Sequence, residues 1–317
     1  MSFRYDPEIA AAFAAMAARA GEEAEIKLPE RGDVMALRTL VDAGMEAMFA
    51  SIPDASGIRR MDYAMTGTDG VPVPLFWYEK PGASTGPAVV YAHGGGMACG
   101  SARLYEPLVR HYVDLTGVPF LSVDYRLAPE RRGEPLAQDV FSALGWLFDH
   151  ADDLRVSPDR VALMGDSGGG GIAAGAAILA RDAGVKLAKQ ILVYPMLDDR
   201  STPDPHLAPL ATWTYDHNFT CWSAVLGDRF GGGEVPAICS PARLADFSGL
   251  APAYIEVGDL DIFRDESIRY AQNLLAAGIH CELHVHPGIT HAAELIDLNG
   301  AYARRALADR ARAIMAL

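Results

Sequence analysis

The sequence predicts an α/β fold in which a mostly parallel sheet of eight strands is covered by helices on both faces. Short apolar runs alternate with helical patterns along most of the chain, which indicates successive βαβ units. The run at residues 161–164 is apolar without interruption, as in strands that are buried on both faces. The predicted strands are residues 58–65, 73–79, 88–91, 119–124, 161–164, 190–194, 253–257 and 281–285, and the helices between them are 105–115, 137–148, 172–182 and 266–277. In such a sheet, catalytic groups lie in loops at the carboxyl ends of the strands.

The first region of the chain, residues 1–57, contains only predicted helices, at residues 7–20 and 33–50. Helices that precede the first strand cannot join the sheet, so they must cover another part of the molecule. They serve either as a flap that stabilises the fold or as a lid over a substrate. The residues alone leave both interpretations open.

The second region, residues 58–317, is expected to be one α/β domain with an insertion around residues 198–233. This insertion has proline near its start, glycine near its end and several aromatic residues between them. A loop of such length inside a compact domain usually has a function or a helix of its own, here predicted at residues 220–226. Its aromatic side chains either line a pocket or pack in the core.

The charge and composition exclude several classes of protein. The formal net charge of -14 repels polyphosphate, so we expect no nucleic-acid partner. No apolar run reaches the length of a membrane span, and the alanine-rich start carries Asp6 and Glu8 where a signal peptide would be basic. We therefore expect no stable membrane insertion. The cysteines form no C-x-x-C pair, which indicates reduced thiols in a cytoplasmic protein: Cys99, Cys221, Cys239 and Cys281.

The motif Gly-Asp-Ser-Gly-Gly at residues 165–169 lies where a predicted strand meets an alanine-rich helix. In a G-x-S-x-G motif at such a place the serine, here Ser167, occupies a strained turn that exposes its hydroxyl as a nucleophile. The neighbours must be small because this turn leaves no room for side chains. The start of the following helix also favours negative charge that develops near Ser167.

Two other interpretations of this turn remain open at this point. Gly169, Gly171 and Ala174 fit the spacing G-x-G-x-x-A of a dinucleotide-binding turn. Asp198 is then a candidate for the acidic residue that such sites place on the ribose, and the function would be that of a nicotinamide-dependent oxidoreductase. The other interpretation is a tight turn without any function.

A second glycine motif, HGGG at residues 93–96, directly follows a predicted strand. Consecutive glycines leave backbone N–H groups uncovered and let them approach a ligand closely. A loop of this type forms an oxyanion hole together with the N–H that follows the nucleophile. The candidate donors are therefore the N–H groups of Gly94, Gly95 and Gly168.

With DYRLAPE at residues 124–130, these two motifs resemble the hormone-sensitive-lipase-like branch of the α/β-hydrolases, the microbial family IV esterases. The resemblance covers the chain from about residue 58 to the C-terminus, and it implies an α/β-hydrolase fold with the N-terminal helices as a helical cap. The family usually has alanine where this chain has Gly168, but only the N–H of this residue is needed. DYRLAPE itself is interpreted as structural, with a buried Arg126 and a chain turn at Pro129.

A nucleophilic serine needs a base and an acid, which in this superfamily follow it in the order serine, acid, histidine. Three residues after the predicted strand at 253–257 qualify as the acid: Asp259, Asp261 and Asp265. The resemblance to the family motif DPLRDE selects Asp261, and Asp265 is expected to cap the next helix. The family's catalytic histidine lies in the loop after the last predicted strand, a position that His291 occupies here.

Several histidines near the C-terminus also raise the question of a metal site: His280, His284, His286 and His291. His284 and His286 would point to one face of a strand. No carboxylate or cysteine partner lies at the spacing of metal ligands, and the esterase mechanism needs no cofactor. We therefore expect neither a metal nor a cofactor.

The predicted function is a serine carboxylesterase that hydrolyses small, apolar, short-acyl esters through an acyl-enzyme intermediate. Lactonases, carbamate hydrolases and amidases use the same residues and are alternatives within the hydrolases. A non-catalytic ligand-binding protein on the same fold is the alternative from another class. The expected partner is a small-molecule ester, and the resemblance implies that the chain can form a homodimer through an edge of its sheet.

Overall fold

The computed structural model describes residues 3–20, 28–82 and 84–317, so residues 1–2 and 21–27 of the predicted N-terminal region lie outside it. The strands are β1 (Arg59–Thr66), β2 (Pro72–Glu79), β3 (Gly86–Ala92), β4 (Phe120–Val123), β5 (Val156–Asp166), β6 (Lys189–Val193), β7 (Ala253–Gly258) and β8 (Cys281–His286). The helices are α1 (Pro7–Ala20), α2 (Val34–Phe49), α3 (Glu106–Thr116), α4 (Pro135–Asp149), α5 (Ala151–Leu154), α6 (Gly168–Asp182), α7 (Tyr215–Leu226), α8 (Arg264–Ala276) and α9 (Ala301–Met315).

The described strands form one eight-stranded sheet in the order β1-β2-β4-β3-β5-β6-β7-β8. β2 pairs antiparallel with β1 and with β4, and the other neighbouring strands are parallel. In β3, Val90 and Ala92 share a buried cluster with side chains of α4, α6 and α8. Val89 and Tyr91 instead share one with side chains of α3 and α9. Helices thus cover both faces, which confirms the predicted α/β fold and explains its uninterrupted apolar runs.

Three helices depart from the sequence prediction. α7 begins at Tyr215, before the predicted start at residue 220, because the Thr214 side chain accepts a hydrogen bond from the His217 N–H and the His217 side chain accepts one from the Thr214 N–H. Such a reciprocal cap usually has Glu or Gln in the place of His217, so its sequence signature was not visible. No element was predicted at the short α5 or at α9, whose buried face includes Tyr302 and Arg310.

The parallel pairing places the carboxyl ends of β3, β5, β7 and β8 along one edge of the sheet. α1 and α2 lie over this edge, where their side chains line a cavity together with Ser167. Tyr5 Oη donates a hydrogen bond of 2.8 Å to the Leu210 carbonyl, and the Gly32 N–H donates one of 2.9 Å to Thr220 Oγ1. The N-terminal segment is therefore bonded to the segment between β6 and β7. Within the described ranges, every helix is too short or too polar to span a bilayer.

Candidate active site

Ser167 lies on the turn between β5 and α6, with a φ of 56° in the left-handed region that non-glycine residues rarely adopt. A Cβ on Gly165 would lie 2.2 Å from the carbonyl oxygen of Gly169. One on Gly169 would lie 2.1 Å from the carbonyl oxygen of Ala92 in β3. The close approach of the backbone therefore requires glycine on both sides of the serine, as the motif predicts.

His291 connects Ser167 to Asp261, although the serine and the histidine are 124 residues apart in the chain. His291 Nε2 lies 2.9 Å from Ser167 Oγ, and His291 Nδ1 lies 2.6 Å from Asp261 Oδ2. Because a carboxylate can only accept, Nδ1 carries the proton and Nε2 offers its lone pair to the serine hydroxyl. The histidine side chain is 9% exposed and the aspartate side chain is fully buried, so water competes little with these bonds.

Asp261 and Asp259 follow β7 but make different contacts. Asp261 Oδ1 accepts a hydrogen bond of 3.0 Å from the Phe263 N–H, so each of its two oxygens has a partner. Asp259 Oδ1 instead accepts a bond of 2.6 Å from the Gly288 N–H and ties this loop to the end of β8. Of the acids that the sequence left open, Asp261 is thus the one that the structure brings to His291.

Asp265 differs from its predicted position. α8 begins at Arg264, with Phe263 before it, and no side chain caps the start of this helix. Asp265 lies inside the first turn, where its carboxylate accepts a hydrogen bond of 2.7 Å from Arg264 Nε. The prediction of a cap is therefore wrong, because the chain enters the helix before it reaches Asp265.

Aromatic rings and a threonine hold the imidazole in place. The Tyr194 and Phe263 rings meet the His291 ring edge-on, with centroids 4.6 and 5.3 Å away. The Thr212 hydroxyl donates a hydrogen bond of 3.1 Å to the His291 carbonyl. The loop that carries the histidine is thereby fixed from three sides, by side chains that the sequence analysis did not associate with the site.

The HGGG loop packs directly on the serine turn. A Cβ on Gly94 would lie 3.1 Å from the Asp166 carbonyl oxygen, and one on Gly168 would lie 2.8 Å from Gly96 Cα. Within the described part of the chain, the amides of Gly94 and Gly168 donate no backbone or side-chain hydrogen bond outside regular structure. The loop that carries Gly94 and Gly95 thus packs against the turn that carries Ser167 and Gly168.

The same packing explains why this chain has glycine at position 168, where the family usually has alanine. A Cβ on this residue would lie 2.6 Å from the backbone nitrogen of Met97, and its next contacts are with backbone atoms of Gly96. Backbone atoms cannot move aside as a flexible side chain can. The smaller residue therefore lets the loop approach the serine turn more closely than an alanine would.

A cavity of about 320 Å³ opens above Ser167 and His291. α1 contributes Phe13 and Met16, and α2 contributes a larger share of the lining: Leu40, Val41, Gly44, Met45, Met48 and Phe49. Trp213 and His217, which precede and begin α7, close another side. The walls are mostly apolar, so the cavity suits a small apolar group placed next to the serine hydroxyl.

A buried ionic cluster lies behind the histidine. Tyr194 Oη donates a hydrogen bond of 2.8 Å to Glu294 Oε1, and Arg310 Nη1 lies 2.7 Å from the same oxygen. Arg310 also contacts Glu256, and all three charged side chains are fully buried. Burial by itself would raise the pKa of Glu294, but the charge of Arg310 holds this pKa below its usual value. No sequence motif indicated this cluster, because its three charged residues come from three separate elements.

Asp166, next to the nucleophile, lies on the same side of the sheet. Its side chain is buried, and Tyr91 Oη donates a hydrogen bond of 2.8 Å to its Oδ2. Removal from water raises the pKa of Asp166 to about 7, far above the usual value of 3.8. This carboxyl group therefore changes its charge near neutral pH.

The DYRLAPE segment makes structural contacts, although the Arg126 side chain is 13% exposed and not fully buried as expected. Arg126 donates hydrogen bonds of 2.8 and 2.6 Å to Asp139 and bonds of 2.6 and 2.7 Å to Asp69. Asp139 is fully buried in α4, whereas Asp69 lies on the turn between β1 and β2. Arg126 thereby joins the helix layer to the antiparallel edge of the sheet.

The glycine turn contacts the protein's own backbone where a dinucleotide would need space. A Cβ on Gly171 would lie 2.1 Å from the Met196 carbonyl oxygen, and the equivalent contact of Gly169 is with β3.

His284 Nε2 lies 2.6 Å from Glu282 Oε1, and the His284 ring stacks on His286. In the ranges described, no group of three His, Cys, Asp or Glu side chains has the arrangement of a metal site.

Comparisons with known proteins agree with this architecture. The model of the alpha/beta hydrolase fold family matches residues 89–295. The carboxylesterase NlhH of Mycobacterium tuberculosis is 35% identical over 240 residues, which are 73% of this chain and 75% of that protein. The ethyl acetate hydrolase of Pseudomonas putida is 32% identical over 248 residues, which are 73% of this chain and 74% of that one.

A solved structure extends the similarity over nearly the whole chain. A bacterial heroin esterase superposes with a TM-score of 0.87 at 33% identity, covering 98% of this chain and 97% of that one. The matched family region begins in β3 and ends just after His291, so it contains the serine turn, the acid loop and the histidine loop. The resemblance that the HGGG, DYRLAPE and GDSGGG motifs indicated is confirmed. The chain therefore belongs to the α/β-hydrolase family, in the hormone-sensitive-lipase-like branch of esterases.

Proposed function

We propose that the chain is a serine carboxylesterase for small, apolar, short-acyl esters, with Ser167 as nucleophile, His291 as general base and Asp261 as the acid of the triad. One observation carries the proposal. Hydrogen bonds run without interruption from Ser167 Oγ through the imidazole to the buried carboxylate, at 2.9 and 2.6 Å. This is the geometry in which a neutral histidine can take the serine proton.

The reaction proceeds by acyl transfer. Ser167 Oγ attacks the ester carbonyl carbon while its proton passes to His291 Nε2, and the carbonyl electron pair becomes an oxyanion. Asp261 stabilises the imidazolium that forms. His291 then gives the proton to the departing alkoxide, and the acyl group stays bound to Ser167 as the acyl-enzyme. A water molecule, deprotonated by the same histidine, attacks the acyl carbon. The bond from that carbon to Ser167 Oγ then breaks, His291 returns the proton to Oγ, and the acid is released.

The oxyanion is held by the N–H groups of Gly94, Gly95 and Gly168. Packing of the HGGG loop on the serine turn supports this role, since it brings together the two backbone segments that carry these amides. Each such donor is worth on the order of 3 kcal/mol in the transition state. The donors belong to a rigid backbone, so little reorganisation is needed when the negative charge develops.

The cavity supports the proposed substrate class. Its volume of about 320 Å³ is at the lower end of the range of ligand pockets, and its walls are mostly apolar. The relatives named ethyl acetate hydrolase and heroin esterase support an ester as the substrate. We expect the acyl group to contact the side of the cavity that α2 lines.

Residues 1–57 and the segment around 198–233 together act as the cap of this site, and residues 58–317 otherwise form the catalytic domain. Hydrogen bonds connect the two cap segments, so we expect the segments to move together or to stay fixed together.

A homodimer would use β8, the last strand of the sheet, where Val285 is 39% exposed. Sedimentation at increasing protein concentration tests this dimer. A cytoplasmic location agrees with four free cysteines and is tested by cell fractionation.

The test is a panel of p-nitrophenyl esters, simple lactones and anilides with the purified protein and its Ser167→Ala variant. We expect hydrolysis of the acetate and butyrate esters, and loss of this activity in the variant with little change in melting temperature. A fluorophosphonate probe should label the wild-type protein at Ser167. A wild-type protein that is inert toward the panel and unlabelled would instead be a non-catalytic binding protein.

A further inference from the structure

The oxyanion loop, defined here as residues 94–100, is a tight turn that is closed by its own backbone. The Gly95 carbonyl accepts hydrogen bonds of 3.1 and 2.8 Å from the N–H groups of Ala98 and Cys99. The proposed donor N–H of Gly95 belongs to the same peptide group as the Gly94 carbonyl. His93 Nδ1 lies 2.8 Å from that carbonyl oxygen, and the way in which the outer side of the loop is held also bears on the direction of the N–H.

Arg38 of α2 holds one point of the outer side. Its Nε donates a hydrogen bond of 2.6 Å to the Ala98 carbonyl, and its Nη2 donates one of 2.6 Å to the Ala128 carbonyl. Glu130 accepts two further bonds from the guanidinium at 2.7 and 2.8 Å. The Arg38 side chain is only 18% exposed. One planar cation thus joins the oxyanion loop to the DYRLAPE turn, and only a forked group can reach these partners at once.

Asp42 holds a second point, one helical turn further along α2. Its Oδ1 accepts a hydrogen bond of 2.7 Å from the Gly100 N–H. Gly100 has a φ of 81°, and a Cβ on it would lie 2.8 Å from the Gly94 carbonyl oxygen. Gly100 therefore packs directly on the peptide group that carries the Gly95 N–H. A displacement of Gly100 would turn this donor away from Ser167.

The same helix forms the wall of the substrate cavity. Arg38 and Asp42 are four residues apart and so lie on one side of α2. Leu40, Val41 and Gly44 line the cavity from the adjoining side. α2 thus contacts both the place where an acyl group would bind and the loop that would hold its oxyanion.

We propose that Arg38 and Asp42 are positioning residues, through which the cap helix α2 orients the Gly95 amide for the oxyanion. This inference rests on the proposed function and assigns the cap a part in catalysis beyond covering the substrate. Because the oxyanion exists only in the transition state and the intermediates, these residues act on kcat and not on ground-state binding.

The test compares Arg38→Met, which keeps an unbranched apolar side chain but removes the guanidinium, with Asp42→Ala and Asp42→Asn. We expect kcat for p-nitrophenyl acetate to fall roughly 10- to 100-fold in Arg38→Met and Asp42→Ala, with KM nearly unchanged, as for a displaced transition-state donor. Asp42→Asn retains an acceptor oxygen for the Gly100 N–H and should restore most of kcat. The matched control is Arg31→Met, which removes an exposed cap arginine 3.5 Å from Asp216.

The inhibition constant of a trifluoromethyl ketone is a second measurement, which a change in cap stability alone would not affect. Ser167 Oγ adds to its carbonyl carbon, the serine proton passes to His291, and the carbonyl electron pair becomes an oxyanion in the hole. Its inhibition constant should rise in parallel with the loss of kcat, whereas that of the corresponding alcohol should not change. If Arg38→Met does not fold, the pair of Asp42 variants decides the question.

Two outcomes would overturn the inference. One is an unchanged kcat in folded Arg38→Met and Asp42→Ala; the other is a loss that lies wholly in KM, with ketone affinity retained. Ser167→Ala separates this inference from the proposed function. If Ser167→Ala still hydrolyses esters, the proposed function fails. If Ser167→Ala is inactive while the Arg38 and Asp42 variants match the wild type, only the role of α2 fails.

Discussion

The substitution Asp261→Asn tests the proposed triad most directly, because the two oxygens of this side chain face two different donors. Oδ2 lies 2.6 Å from His291 Nδ1, and Oδ1 accepts a bond of 3.0 Å from the Phe263 N–H. Asparagine has a single acceptor oxygen and a donor amide group. It can therefore satisfy the backbone N–H or the usual histidine tautomer, but not both.

The structure allows the size of the effect to be worked out. If the amide oxygen faces the Phe263 N–H, the amide nitrogen faces His291 and forces the proton onto Nε2, where it blocks the serine. The opposite orientation leaves the buried Phe263 N–H unpaired, at about 1–3 kcal/mol. Loss of the charge that stabilises the imidazolium adds roughly 2–3 kcal/mol. The sum of about 3–6 kcal/mol corresponds to a fall of roughly 10²- to 10⁴-fold in kcat/KM.

The assay is the steady-state hydrolysis of p-nitrophenyl acetate, with melting temperature as the measure of folding. Asp259→Asn is the matched control, because its amide oxygen can still accept the Gly288 N–H that lies 2.6 Å from Oδ1. We expect this control to keep nearly full activity. A folded Asp261→Asn protein as active as Asp259→Asn would refute the assignment of the acid, and equal losses in both would show that the loop, not the carboxylate, matters.

Two further predictions concern the interior of the site. Because the pKa of Asp166 rises from 3.8 to about 7 on folding, the folded state binds more protons than the unfolded state between these values. This group therefore lowers the free energy of unfolding by roughly 1 kcal/mol per pH unit as pH rises from about 4 to 7. In urea unfolding, the free energy of unfolding of Asp166→Asn should decline less with pH than that of the wild type. Parallel declines in the two proteins would contradict this prediction. Gly44→Leu places a side chain in the cavity, since nothing lies within 4 Å of its Cβ position, and it should lower kcat/KM for the butyrate ester more than for the acetate ester. Gly145→Leu in α4, which also has open space at its Cβ position, is the control. If the ratio of kcat/KM for the butyrate and acetate esters is the same in both variants, the acyl group does not bind on the side of the cavity that α2 lines.

Much of the fold could be predicted from local sequence. β5 shows why, since its apolar residues must be buried on both faces and few other elements tolerate such a run. The glycines around Ser167 were equally informative, because only glycine fits where an added Cβ would lie 2.1–2.2 Å from a backbone oxygen. α9 was missed, since its buried face carries Arg310, a residue type that is almost never fully buried without a partner. Its partners come from β7 and from the loop after His291.

The amino-acid sequence by itself determined the alternation of strands and helices, the serine turn, the HGGG loop and the family, because each depends on neighbours in the chain. The residues alone left three candidate acids after β7, from which the family resemblance selected Asp261. The packing of the loops after β7 and β8 is what brings this aspartate to His291. It also decided the contacts of Arg38 and Asp42. The partners of these two residues lie 58 to 92 positions further along the chain, so only the packing of α2 on the oxyanion loop brings them together.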